Sequence, residues 1–198
     1  LPDGFVIPGC VQSTGKMFFN CAYLKTLPEF FTLPESVVYA VGMFSQIGYS
    51  NKTFTNTGLR SLPAGFTLPD GLTDVSDMFY GCSFETLPVG LTIPSNATNA
   101  HAMFFNCGNL KELPSGFRLG EKLTRISNMF QGCVSLTSFP DGFTLPDSVM
   151  NAESAFQSMG LISLPSSFTI GENSQLTKAR AMFFDCNSLA WLPKGFKL

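Results

Sequence analysis

One string, LPxGFxLP, returns along the whole chain, and a fixed period of this kind restricts a polypeptide to stacked copies of one structural unit. It reads LPDGFVIP from Leu1, LPEFFTLP from Leu27, LPAGFTLP from Leu62 and LPVGLTIP from Leu87. LPSGFRLG from Leu113, FPDGFTLP from Phe139 and LPSSFTIG from Leu164 continue the series. Residues 1–198 therefore form a single domain of about seven repeats, starting at 1, 27, 62, 87, 113, 139 and 164, with a partial eighth from 192. Most units run 25 or 26 residues, and the main departure is an insertion at 48–58.

Each unit continues into MFxxC, seen at 17–21, 78–82, 103–107, 129–133 and 182–186, while MFSQI and AFQSM substitute it with Ile47 and Met159 in the cysteine slot. A leucine usually follows three residues later, then the next LP start, so the frame is CxxLxxLPxGFxLPxxVxxAxxMF. A unit like this cannot bury its own apolar face and must stack on its neighbours. Phe143 and Leu145 alternate around Thr144, which predicts a short strand with Phe and Leu inward and Thr outward. Leu72, Val75, Met78 and Phe79 fall near helical spacing, which predicts a 3₁₀-like turn. The expected fold class is a repeat protein, a leucine-rich-repeat β-solenoid with one parallel sheet and short 3₁₀ or helical turns on the opposite side.

Composition narrows the function. Hydrophobic residues make up 44% and charged residues 13%, with 12 basic and 14 acidic side chains scattered along the chain. A net charge of −2 without a basic block favours neither nucleic acid nor anionic lipid. No run approaches the roughly 18 apolar residues of a membrane helix, so membrane insertion is not expected.

The frame, read best in CVSLTSFPDGFTLPDSVMNAESAF from Cys133, resembles the BspA-type leucine-rich repeats of bacterial surface proteins. The resemblance spans essentially the whole chain and rests on seven concordant copies. It implies a curved solenoid, exposure at the cell surface or outside the cell, and adhesion to a protein or glycan of a host or neighbouring cell. It carries no catalytic residue across, and it departs from the commonest pattern in placing PxG between two apolar strand positions.

The residues that could carry chemistry mostly read as structure. Five of the six cysteines occupy one slot per unit that elsewhere holds Ile47 or Met159, as a small buried hydrophobe would. A disulfide within Cys82, Cys107 and Cys133 is the alternative, because adjacent coils can bring Cα atoms within bridging distance. Cys10 aligns with Ser36, Gly71, Asn96 and Ser148 and is expected on the surface. No cysteine or histidine cluster has zinc spacing, and no cofactor or metal is expected. The one histidine, His101, aligns by sequence with Gly42, Asp77, Asn128 and Ser154, without the nucleophile and orienting partner that catalysis would need. Asp70, Asp74, Asp77 and Glu85 cluster without the spacing of a calcium loop. No enzyme activity is expected.

Two features could recognise a partner. The outward strand position forms a file of Thr32, Thr67, Thr92, Arg118, Thr144 and Thr169. It reads either as strand-forming residues or as a polar docking strip with Arg118 as its charged anchor; Arg118 interrupts the flat array that ice binding would need. The 48–58 insertion carries Tyr49, Asn51 and Phe54, aromatics in a polar frame that resembles binding loops, against the plainer reading of an inert surface loop. Asn51 and Asn96 head NKT and NAT sequons. Phe19, Tyr80, Phe105 and Phe184 follow MF and are expected half-buried. The leading expectation is a surface or secreted recognition module using the concave strand face and this loop. A spacer or stalk segment and a secreted host-directed effector are the alternatives. The absence of polar caps predicts that flanking chain or an oligomer covers the end coils.

Overall fold

The computed structural model describes residues 1–46, 58–170 and 173–193. They form a column of coils tied edge to edge by single parallel bridges: Ser13 to Tyr39, then in turn Asp74, Asn99, Arg125, Asn151 and Lys178. These bridge residues define coils 1 to 7. Among the described residues there is no helix and no extended strand.

The backbone explains why. In the stretch that carries VxxAxxMF, alternate amides point to the next coil: Val75, Asp77, Phe79 and Gly81 N–H donate to the carbonyls of Asn99, His101, Met103 and Phe105 at 2.7–3.0 Å. The amides between them turn back on their own coil, Met78 to Val75, Tyr80 to Asp77 and Cys82 to Phe79. Each coil is thus a chain of overlapping β-turns that pairs with its neighbour through every second residue. Left-handed residues recur within it, at Asp77 and Gly81, at Ala102 and Asn106, and at Asn128 and Gly132. Asn, Asp and Gly tolerate that region best, and a left-handed residue at every fourth position interrupts any helix. The apolar spacing that suggests a 3₁₀ turn is therefore produced by consecutive turns.

The parallel pairing also lies elsewhere than FxL. Phe66 N–H is consumed by the Pro63 carbonyl and Leu72 N–H by the Pro69 carbonyl, and prolines at both ends remove further donors. What remains between coils in this stretch is a contact such as Ile93 N–H to Arg118 C=O at 3.0 Å, without a bridge among the described residues. The inward and outward directions do follow the alternation: Phe143 and Leu145 are buried and Thr144 is exposed.

Two columns of phenylalanine rings fill the centre. Phe18, Phe44, Phe79, Phe104, Phe130, Phe156 and Phe183 stack in succession with ring centroids 5.3–6.3 Å apart. Beside them run Phe5, Phe31 and Phe66, then Phe117, Phe143 and Phe168, at 6.2–6.4 Å. The two columns meet edge to face, as Phe104 does with Phe117 at 66°. Each such pair adds about 0.5–1.5 kcal/mol beyond the area it buries. The repeat thereby places one ring of the first column at every level, and one of the second at every level except that of Leu91, a buried leucine in the same slot.

The cysteine slot is inward where a coil has neighbours on both sides. Cys82, Cys107 and Cys133 are buried free thiols that point Sγ at the Phe44, Phe79 and Phe104 carbonyls of the preceding coil, 3.1–3.3 Å away. Burial raises all three thiols, Cys107 to about 12. Cys10 is exposed, as expected, but the buried reading of the slot does not hold at every unit: Cys21 is exposed, and Cys186 is half-buried with its Sγ donating to the Phe156 carbonyl at 3.0 Å.

Candidate functional site

Beside this core, the paired stretch carries three rows of residues, in which Ser45, Ser76 and Ser127 are buried. The bridge row runs Ser13, Tyr39, Asp74, Asn99, Arg125, Asn151, Lys178. Two residues further on, a second row runs Gly15, Val41, Ser76, His101, Ser127, Glu153, Arg180. A third row runs Phe19, Ser45, Tyr80, Phe105, Gln131, Gln157, Phe184.

The bridge row shapes its own turns. Asp74 Oδ1 accepts from the Ser76 amide at 2.9 Å, Asn99 Oδ1 from the His101 amide at 3.1 Å, and Asn151 Oδ1 from the Glu153 amide at 3.0 Å. These amides sit in the gaps of the inter-coil ladder, so a short polar side chain at the bridge position satisfies a donor that would otherwise lack a partner. One residue before the bridge, Thr73, Thr98, Thr124 and Thr177 each give both the amide and the hydroxyl to a carbonyl of the preceding coil. This threonine ladder is structural, and it is distinct from the file read in the sequence.

In coils 3 to 5 the rows are largely self-satisfied. Asp74 Oδ1 also takes the Ser76 hydroxyl at 2.6 Å, and Asp74 Oδ2 takes the Asn99 amide group at 3.1 Å. His101 Nδ1 lies 2.8 Å from Ser127 Oγ, which also accepts from Arg125 Nε at 3.1 Å. Asn128 Nδ2 donates to Gln131 Oε1. Tyr80 and Phe105 stack at 4.6 Å. Burial, then the Arg125 charge, lowers the basicity of His101, with Asp77 opposing. Burial raises the Asp77 carboxyl. His101 thus aligns with Ser76 and Ser127, one position away from the register read by sequence, and its serine neighbour comes from the next coil. Ser127 is 3% exposed and its oxygen is held by two partners, a positioning contact and not an open nucleophile.

Coils 6 and 7 differ. Glu153, Ser154, Gln157, Arg180, Ala181 and Phe184 line an open groove of about 620 Å³. Glu153 and Arg180 belong to the second row and Gln157 and Phe184 to the third, while Ser154 and Ala181 follow the second row in the chain. The side chains of Arg180 and Gln157 have no hydrogen-bond or ion-pair partner among the described residues, and Phe184 is 63% exposed.

Thr32, Thr67, Arg118, Thr144 and Thr169 are exposed and Thr92 is half-buried, so the file faces outward. Arg118 does not reach from it as an open anchor: Nη1 bends back to the Phe117 carbonyl at 3.0 Å. Tyr49, Asn51 and Phe54 lie outside the described residues. Asn96 is half-buried, with Nδ2 on the Asp70 carbonyl and Oδ1 accepting from Lys122. Of the acidic group, Glu85 pairs with Lys111 at 2.7 Å on the surface, and that contact lowers its carboxyl.

No protein-family model matches the chain, and no curated protein matches it. Among solved structures it is similar to a leucine-rich repeat protein from Bacteroides ovatus ATCC 8483, at 20% identity and a TM-score of 0.49. That likeness covers 94% of this chain and 54% of the other, so the chain spans about half that protein's length.

Proposed function

We propose that this chain is a leucine-rich-repeat recognition module, surface-exposed or secreted, that binds a protein or glycan of a host or neighbouring cell and performs no catalysis. The observation that carries the reading is a division within each coil. Inward positions repeat apolar chemistry from level to level, Met and Phe at 78–79, 103–104 and 129–130 and Ala and Phe at 155–156, whereas the outward rows on the same stretch change from coil to coil. Asp74, Asn99, Arg125 and Lys178 differ in charge, and Tyr80, Gln131 and Phe184 differ in shape. A solenoid whose scaffold is uniform and whose outer face is individual presents an extended surface for a partner. The threonine file, uniform and with Arg118 folded back, offers less to read.

The test is binding of the fluorescently labelled chain to intact eukaryotic and bacterial cells, with and without protease or glycosidase treatment of those cells. Saturable binding that is lost in a Tyr80→Ala/Arg125→Ala/Phe184→Ala variant and kept in Thr67→Ala/Thr144→Ala supports the reading. Loss confined to the threonine variants, or no saturable binding to any cell, overturns it.

A further inference from the structure

We infer that His101, Ser127 and Arg125 form an acid-sensitive latch between coils 4 and 5: it is closed while the His101 ring is neutral, and a proton on that ring opens it and frees the Arg125 side chain on the outer face. The latch belongs to the chain itself and goes beyond the recognition reading, so it stands or falls whether or not a partner binds.

Its three groups sit in the middle of the column, with coil 3 on one side and coil 6 on the other. The backbone holds them in register. Asp77 N–H donates to the His101 carbonyl at 2.8 Å, Ala102 N–H to the Ser127 carbonyl at 2.9 Å, and Asn128 N–H to the Glu153 carbonyl at 2.9 Å. On the coil 3 side the polar groups are already engaged, since the Ser76 hydroxyl donates to Asp74 Oδ1 and Asn99 Nδ2 to Asp74 Oδ2. The imidazole instead meets Ser127, with Nδ1 2.8 Å from Oγ, and Arg125 Nε lies 3.1 Å from the same oxygen.

Proton counts fix the directions of these bonds. A guanidinium has no acceptor, so Arg125 Nε–H donates to Ser127 Oγ. Ser127 is buried, so its hydroxyl proton needs a partner, and Nδ1 of a neutral imidazole supplies one. The ring proton is then on Nε2, and each donor and acceptor is used once. A second ring proton ends this arrangement. Both ring nitrogens become donors, Ser127 Oγ faces two N–H groups, and its own buried proton loses its acceptor, which is the costly state for a hydroxyl. The imidazolium also stands beside the Arg125 cation. Release of the Arg125 side chain relieves both faults, because it removes one charge and admits water to the Ser127 hydroxyl.

The groups that face the ring act in both directions. Burial and then Arg125 lower its basicity, while Asp77, the Ser127 carbonyl and Asp74 oppose them, and the net shift is downward. Lys16 acts on Asp77, whose own carboxyl is raised by burial. A histidine depressed in the folded state contributes stability that is complete above its unfolded value of about 6.5 and is lost as pH falls from there toward the lower folded value.

The chain has one histidine, so its ring signals are unambiguous in NMR spectra of the whole protein. Between about pH 8 and about pH 4, a range that spans the ordinary histidine value, the His101 ring should titrate below that value, with the neutral form protonated on Nε2. The Arg125 Nε–H signal should shift and exchange faster with solvent at the same midpoint. Arg125→Gln, at an exposed position, should move the midpoint up by removing the cation. Ser127→Ala should also move it up, by removing the hydroxyl that bonds the neutral ring, and Asp77→Asn should move it down. Amide spectra establish that each variant is folded, and Arg125→Gln keeps the test open should Ser127→Ala unfold. A ring that titrates at or above the ordinary value, or an Arg125 signal indifferent to the ring's protonation, overturns the latch. So does a midpoint that either folded variant, Arg125→Gln or Ser127→Ala, leaves unmoved, which would make burial alone the cause.

Discussion

The thiol of Cys107 illustrates how much one side chain owes to its level in the column. Its Sγ donates to the Phe79 carbonyl, which already accepts the Cys82 amide, so a weak S–H donor occupies a second lone pair in a dry interior. Ionisation there would strand a charge among phenylalanines, and burial pushes the thiol from 9.0 to about 12. A thiol raised in the folded state contributes stability that is complete below its unfolded value of about 9 and is lost as pH climbs toward about 12, because only the unfolded chain releases the proton. Urea unfolding of the wild type should therefore weaken steadily across that window. Cys107→Ala should show a shallower loss over the same range, and an unchanged slope would mean the buried thiol does not control it.

The turn that opens each unit is the element where backbone geometry can be separated from packing. Pro, two residues and Phe close by a bond from Phe66 N–H to Pro63 C=O, and likewise from Leu91 N–H to Pro88 C=O. The third turn position is Gly65 in one unit and Gly90 in the next. A Cβ at either would meet nothing within 4 Å, yet Gly90 is left-handed at φ +87° and Gly65 is not. Gly65→Ala should stabilise by about 0.4–1 kcal/mol through the unfolded chain. Gly90→Ala should cost about 1–2 kcal/mol for placing a Cβ in the left-handed region. Chemical denaturation of the two variants gives opposite signs if φ is the cause, and equal shifts would assign the effect to something other than backbone strain.

At the scale of the whole molecule, each coil meets only its neighbours, so the column should tolerate the loss of a complete level. Deleting 113–138 removes one period in phase. Ala100 N–H, which now donates to the Arg125 carbonyl, would find the Asn151 carbonyl at the same register, and the Phe104 ring would face Phe156 in place of Phe130. A deletion of half that length, 113–125, puts the Met and Phe positions that follow out of line with those before them and would break both columns. Circular dichroism and thermal unfolding should show a shorter cooperative fold for the first and a collapsed or unfolded chain for the second. Equal damage from both would deny that the units are structural.

The period and the inward Phe positions were legible in the sequence, because equivalent residues must be chemically alike wherever identical levels stack; the cysteine slot, expected to be buried throughout, is buried at Cys82, Cys107 and Cys133 but not at Cys21 or Cys186. The outward direction of Thr32 and its file followed from alternation alone. Three things were decided by tertiary structure. Most of the pairing settled on 74–81 and its equivalents, with one further bridge, Ser163 to Trp191, ahead of the LP start, and FxL was left without bridges, since prolines and the Pro-to-Phe turn bonds consume the donors that FxL would need. Helical spacing became serial turns, because half of the amides that a helix would bond internally are claimed by the adjacent coil. The outward rows were missed for a related reason: His101 meets Ser127, and Gln157 meets the groove beside Phe184, across a coil boundary. Sequence periodicity places a residue within its own turn of the column, but which side chains stand side by side on neighbouring turns depends on the register that the backbone ladder imposes.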